Sequence, residues 1–193
     1  MKLAMLGVDS WLELAAESAT SRKDCEVAIV CGTAEESAGI LAGHPQATLQ
    51  SDWESLLLGR DFDILLVGTH RGSDDERAEQ LRRFVQESVP LLVVHPAAEA
   101  IVLHELAMIQ HDTQSVLVSW NPVLAHPVAV KVLEVVSDAH SGSASHVSFQ
   151  RAMDEPRWED VIVQASRDAQ WVRHLIGPTD RVTALAPASE SGV

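Results

Sequence analysis

The chain has 193 residues, 46% of them hydrophobic, enough for one good core or for one domain and part of another. Its formal net charge of −14 argues against nucleic acid or an anionic membrane as partner, since both need clustered cations. The two cysteines, Cys25 and Cys31, give neither a disulfide framework nor metal-ligand spacing, and no apolar stretch reaches membrane-spanning length, so the expectation is a soluble protein of the cytoplasm.

Residues Lys2 to Val8 form an apolar run too short for a signal segment and read as a first strand. Asp9 breaks the run, and Trp11 to Ala19 takes up helical spacing. The turn between them, Gly7-Val8-Asp9-Ser10-Trp11-Leu12, stands where a G-x-G-x-x-G fingerprint belongs. In that fingerprint the first glycine permits the bend, the second lets the backbone approach a pyrophosphate, and the third lets helix and strand pack closely. Here Asp9 takes the second place and Leu12 the third.

Four further runs read as strands buried on both faces: Glu26–Cys31, Asp63–Gly68, Leu91–His95 and Ser115–Ser119. Between them Ala34–Ala42, Asp52–Leu58, Asp74–Ser88 and Ala97–Gln110 read as helices. Ser51 with Glu54, and Ser73 with Glu76, have capping-box spacing. This alternation predicts an α/β fold for residues 1–118, a doubly wound parallel Rossmann-type sheet in the order 3-2-1-4-5-6. Gly7 and His95 should both lie at its carboxyl edge.

After Trp120-Asn121-Pro122 the texture changes. Val123–Asp138 reads as a helix, Ser141-Gly142-Ser143 as a turn, and Ala144–Arg151 as a half-exposed strand. Trp158–Ile176 reads as a second helix, stopped by Gly177-Pro178. Arg181–Leu185 reads as a last strand. Residues 119–186 are therefore expected to form a partial α+β unit, and residues 187–193 a disordered tail. A small sheet with open edges implies cover by a second copy or a partner subunit.

The chain resembles the Gfo/Idh/MocA family of oxidoreductases (relatives of glucose–fructose oxidoreductase and inositol dehydrogenase). MKLAMLGVDSWLELA is similar to the family's first strand and phosphate turn, and SDWESLLLGRDFDILLVGTH to its helix and fourth strand. FVQESVPLLVVHPAAEAIVLHEL resembles the stretch carrying its Glu-Lys-Pro motif, and VRHLIGPTDRVTALAP the entry to its C-terminal sheet. The resemblance implies an oxidoreductase acting on a sugar, polyol or related small molecule, with NAD or NADP as cofactor. It maps the cofactor site onto Gly7, Asp9, Ser10, Trp11, Gly32, Thr69, His70 and His95. The family's Thr-Pro pair becomes Thr69-His70, and its Glu-Lys-Pro becomes Val94-His95-Pro96. The acidic residue after the second strand falls at Cys31 or Gly32, with Glu35 and Glu36 a helical step further on. The family's later Asp and His fall on Arg167 and Gln170 in one register, and on Asp168 and Val172 in the other, with His174 half a turn away.

Two readings follow. In the first, the chain is an NAD(P)-dependent oxidoreductase in which His95 replaces the lysine as general acid/base. In the second, it is a non-catalytic ligand-sensing or assembly subunit that kept the fold, and His95 is a strand-end histidine satisfied by backbone. Asp9 sets a negative charge where a pyrophosphate would bring its own, so dinucleotide binding is expected to be weak or absent. His104 and His111 are two turns apart and read as surface or packing residues, and His140 and His146 as solvated. Asp74-Asp75-Glu76 reads as capping charge, Cys31 as a buried unreactive thiol, and Trp11, Trp120, Trp158 and Trp171 as core and junction fillers. No metal site is expected.

Overall fold

The structure, a computed structural model, describes residues 1–69, 73–138, 146–150, 152, 153, 157–178 and 181. The chain divides into two compact units, Met1–Pro122 and Val123–Val193.

In the first unit, strands β1 (Lys2–Leu6), β2 (Glu26–Cys31), β3 (Thr48–Gln50), β4 (Ile64–Val67), β5 (Leu91–Val94) and β6 (Leu117–Trp120) form one sheet, ordered β3-β2-β1-β4-β5-β6. Every neighbouring pair is parallel. The helices between them are α1 (Ser10–Thr20), α2 (Ala34–Gly43), α3 (Ser55–Leu58), α4 (Asp74–Gln86) and α5 (Ala100–Thr113). Successive side chains of a strand point to opposite faces and so feed two cores, with one register shift in β2 that puts Val27 and Val30 on the same face. Ala4, Leu6, Leu65 and Val67 pack with Leu81 and Phe84 of α4 and Leu106 of α5. Leu3, Met5, Val27 and Val30 pack with Leu12 and Ala16 of α1 and Ile40 of α2. Burial on both faces explains why β1, β2, β4 and β5 read as continuous apolar runs. Strand β6, expected to be buried likewise, is an edge strand with Val118 49% exposed.

The expected six-strand order stands, yet only five strands are marked by their own sequence. Thr48–Gln50 lies at the sheet edge with two of its three residues exposed, so it carries no apolar run to mark it. The third helix is shorter than its expected span 52–58, and Ser51 and Glu54 do not form its capping box. Asp52 instead accepts from the Ser55 backbone N at 2.9 Å and its hydroxyl at 2.6 Å, and an ionised acceptor is stronger than a serine hydroxyl. At α4 the expected cap is present, with Ser73 Oγ accepting from Glu76 N at 3.2 Å.

In the second unit, the single helix expected over 123–138 is two: α6 (Pro122–Ala125, which begins at the boundary) and α7 (Pro127–Ser137). Pro127 cannot donate to an upstream carbonyl and suits a first helical position, so the chain restarts there with His126 as N-cap. Helix α8 (Trp158–Leu175) ends where Gly177 adopts φ +106°. The strand expected over 144–151 is corrected: residues 146–150 have no regular structure, because no described strand is there to pair with them. The turn 141–143, His140, the tail 187–193 and the strand 181–185 beyond Arg181 lie outside the described residues. Among the described residues of this unit the regular elements are helices, and no strand occurs.

Of the tryptophans, Trp11 and Trp120 pack against the α1 face of the sheet and Trp171 is buried, 6.5 Å from the ring of Phe149. Trp158, at the start of α8, is 69% exposed and is not part of a described core. Of the two roles expected for His104 and His111, surface or packing, the structure gives the first: both are exposed on α5.

Candidate functional site: the carboxyl edge of the sheet

The strand order reverses between β1 and β4, which leaves a crevice at the carboxyl ends of the strands. Gly7, Gly32 and Thr69 follow β1, β2 and β4, and His95 follows β5, so all four stand at this one edge.

Gly7 turns the chain with φ +72°, a conformation that glycine adopts without the Cβ penalty. Its partner in the turn is Gly68, sixty-one positions on. A Cβ on Gly68 would collide with the Gly7 carbonyl oxygen and approach Leu12 Cδ1 to 3.1 Å and Asp9 Cγ to 3.2 Å. Gly68 thus lets the ends of β1 and β4 approach closely, backbone against backbone. Leu12, in the third glycine's place, is fully buried.

Asp9 is the N-cap of α1, with extended backbone. Its Oδ1 accepts from the backbone N–H groups of Trp11 at 3.0 Å and Leu12 at 2.9 Å. Its Oδ2 accepts from Thr69, from the backbone N at 2.7 Å and the hydroxyl at 2.6 Å. The side chain thus takes two of the orphan donors at the helix start, the groups that in other proteins bind phosphate. Ser10 and Trp11 open α1, with Ser10 exposed and Trp11 half-buried. His70 lies outside the described residues.

Below this turn lies Arg77 in the first turn of α4, only 4% exposed. Its Nη2 donates to the Gly68 carbonyl at 2.6 Å and lies 3.6 Å from the position of a Cβ on Gly7. Its Nη1 is buried with no hydrogen-bond partner among the described residues. Burial pulls the guanidinium down to about 10, opposed by the negative charges of Asp9 and Glu76. Nothing in the local sequence singles out Arg77, because a DDERAEQLRR helix has arginines on every face.

At the end of β2, Gly32 N donates to the Gln50 carbonyl at 3.0 Å. Cys31 and Gly32 carry no carboxylate, but Glu36, a helical step further on, comes close to Gly32. Thr33 and Glu36 form a capping box at α2, which folds the Glu36 carboxylate back toward the strand. Glu36 Oε2 is 2.8 Å from Thr33 Oγ1 and 3.8 Å from where a Cβ on Gly32 would stand. Cys31 is buried, and desolvation pushes its thiol up to about 11, in keeping with an unreactive role.

His95 donates its backbone N–H to the Trp120 carbonyl at 2.8 Å, and its ring Nδ1 lies 3.2 Å from Ser119 Oγ on β6. The His95–Pro96 peptide is cis. In α8 of the second unit, Asp168 Oδ1 accepts from Gln164 at 3.2 Å and His174 Nδ1 lies 2.7 Å from the Gln170 carbonyl. No group of three or more metal-ligating His, Cys, Asp or Glu side chains occurs among the described residues. No described helix is long and apolar enough to cross a membrane.

No protein-family profile matches the chain, and no curated protein matches it in sequence. Solved structures do resemble it. A candidate myo-inositol dehydrogenase from Sinorhizobium meliloti 1021 superposes with a TM-score of 0.72 at 14% identity, over 93% of this chain and 56% of that one. The biliverdin reductase of Synechocystis sp. PCC 6803, solved with biliverdin and NADP+, gives a TM-score of 0.69 at 12% identity, over 93% of this chain and 59% of that one. GenD2 of gentamicin A biosynthesis, solved with NAD, gives 0.62 at 15% identity, over 72% of this chain and 40% of that one. These neighbours are oxidoreductases of Gfo/Idh/MocA type, and the chain spans between two fifths and three fifths of their length. With its six parallel strands in the order 321456, the chain carries the Rossmann fold of the Gfo/Idh/MocA-type oxidoreductases, over the part that forms their N-terminal half.

Proposed function

We propose that this chain is a Gfo/Idh/MocA-type Rossmann protein that has left dinucleotide-dependent hydride transfer and serves as a non-catalytic ligand-binding or assembly subunit. One observation carries the reading: the Asp9 carboxylate occupies the helix start where a pyrophosphate would bind, and its two oxygens already accept four hydrogen bonds. The residues present do not fit NAD or NADP at that point. A phosphate entering beside Asp9 meets like charge worth about 4 kcal/mol at 4 Å with an effective dielectric near 20. Half of that lowers affinity more than tenfold.

The test is titration of the purified protein with NAD(H) and NADP(H), read by fluorescence and by thermal shift. Weak or undetectable binding is expected. Submicromolar affinity for either cofactor would overturn the reading.

A second reading is favoured by His95. Its ring stands at the same sheet edge as Gly7 and reaches Ser119 through Nδ1, so an acid/base group is available near the crevice. On that reading the protein is an oxidoreductase of a sugar, polyol or related small molecule, and His95 moves the proton.

A further inference from the structure

Among the described residues, Arg77 is the only Asp, Glu, Lys or Arg in the buried class. A buried cation carries a large desolvation penalty and persists where an anion and hydrogen-bond acceptors compensate it. The acceptor is the Gly68 carbonyl, 2.6 Å from Nη2. The opposing charge is Asp9, which makes no hydrogen bond to Arg77 but stands beside the same glycine: a Cβ on Gly68 would lie 3.2 Å from Asp9 Cγ. Glu76, the other negative charge facing Arg77, is exposed on α4. Nη1 remains without a hydrogen-bond partner among the described residues, so the guanidinium has donor capacity that the fold does not consume. The N-terminus of α1, eleven residues long, adds its own orphan N–H groups beside the same glycine pair.

We propose that Arg77 and the N-terminus of α1 form one anion-binding site whose occupant is the protein's own Asp9 carboxylate, an internal ligand that keeps phosphate ligands out. This rests on the reading above that the chain does not hold a dinucleotide tightly. It adds the reason: Asp9 satisfies the helix-start donors of the site from within, while Arg77 Nη1 keeps its donor capacity. Vacated, it takes a small multivalent phosphate anion, with Arg77 as the group that distinguishes it from a bare helix end. Asp9 and Arg77 are then specificity determinants acting as a pair.

The experiment uses the full chain and sodium pyrophosphate as probe, with sodium chloride matched for ionic strength. Wild type, Asp9→Ser and Asp9→Ser/Arg77→Met are compared by calorimetric titration and thermal shift. Serine keeps an N-cap acceptor while removing the charge and the reach to Thr69. The wild type should show no saturable binding. Asp9→Ser should gain it, and the double variant should lose at least about tenfold of that gain, as expected for one charge-assisted hydrogen-bonding group. Far-UV circular dichroism checks that each variant is folded, and Asp9→Gly and Asp9→Ser/Arg77→Gln replace any that is not. Equal pyrophosphate binding by the single and double variants removes Arg77 from the site and overturns the inference. No gain in Asp9→Ser or Asp9→Gly overturns it too, while leaving the proposed function standing. Tight NAD(H) or NADP(H) binding by the wild type fells the proposed function instead.

Discussion

Asp9 and Thr69, sixty residues apart, are joined by two hydrogen bonds on a single carboxylate oxygen, from the Thr69 backbone N at 2.7 Å and its hydroxyl at 2.6 Å. The link ties the turn after β1 to the end of β4, across the point where strand order reverses. The same side chain caps α1 with its other oxygen. Loss of the carboxylate therefore loosens a helix start and a loop together.

Removing the Thr69 hydroxyl leaves the backbone bond to Asp9 in place. Thr69→Val should cost about 1 kcal/mol, the usual net worth of one such hydrogen bond. Asp9→Ala should cost more, about 2 kcal/mol or above, since cap and link go together. A double-mutant cycle by urea denaturation should give a coupling near 1 kcal/mol, and strict additivity would show that the two side chains do not interact.

Gly68 tolerates no side chain. A Cβ there would collide with the Gly7 carbonyl oxygen, a backbone atom pinned by its own turn. Gly68→Ala should destabilise by about 3 kcal/mol or more, the range of overpacking against an atom that cannot move. Gly43, whose Cβ would meet nothing within 4 Å, is the control, and Gly43→Ala should be close to neutral or mildly stabilising. Equal stability of the two variants would contradict the described turn.

Cys31 is raised from 9.0 to about 11 by burial, so the fold favours its protonated form. Its contribution to stability is whole below about pH 9 and is lost as pH rises through about 11. The wild type should lose more stability across that window than Cys31→Ala does. At pH 8 a thiol reagent should modify the half-buried Cys25 in the folded protein and spare Cys31 until the chain is unfolded.

His95 separates the two functional readings. A screen of polyols, sugars and hydroxy acids with both nicotinamide cofactors should yield no turnover by the wild type. His95→Ala should then change little beyond local stability, through loss of the Ser119 contact. Turnover that vanishes in His95→Ala, and follows a single histidine-like ionisation, would establish the oxidoreductase reading. Turnover that survives the substitution would remove His95 from proton transfer.

The sequence by itself determined the elements whose signals are local. Strands β1, β2, β4 and β5 announce themselves because residues such as Ala4, Met5, Leu65 and Leu66 are buried on two faces and leave continuous apolar runs. The caps at Ser73 and the stop at Gly177 were legible because their partners lie within a helical turn. Even Asp9 could be read as foreign to a phosphate turn, since the fingerprint is contiguous.

Only the tertiary structure decided what lies opposite each of these. Strand β3 is polar and three residues long, so it is defined by pairing with β2 and not by composition. Glu36 is brought back beside Gly32 by a side-chain rotation that spacing does not reveal. Gly68 supplies the close approach to Gly7, Thr69 takes the free oxygen of Asp9, and Arg77 is buried beneath them both. These contacts join β1, β4 and α4, segments that meet because a parallel sheet inserts a crossover between neighbouring strands. Chemistry at a sheet edge is thereby assembled from residues about sixty positions apart, beyond the reach of any local period.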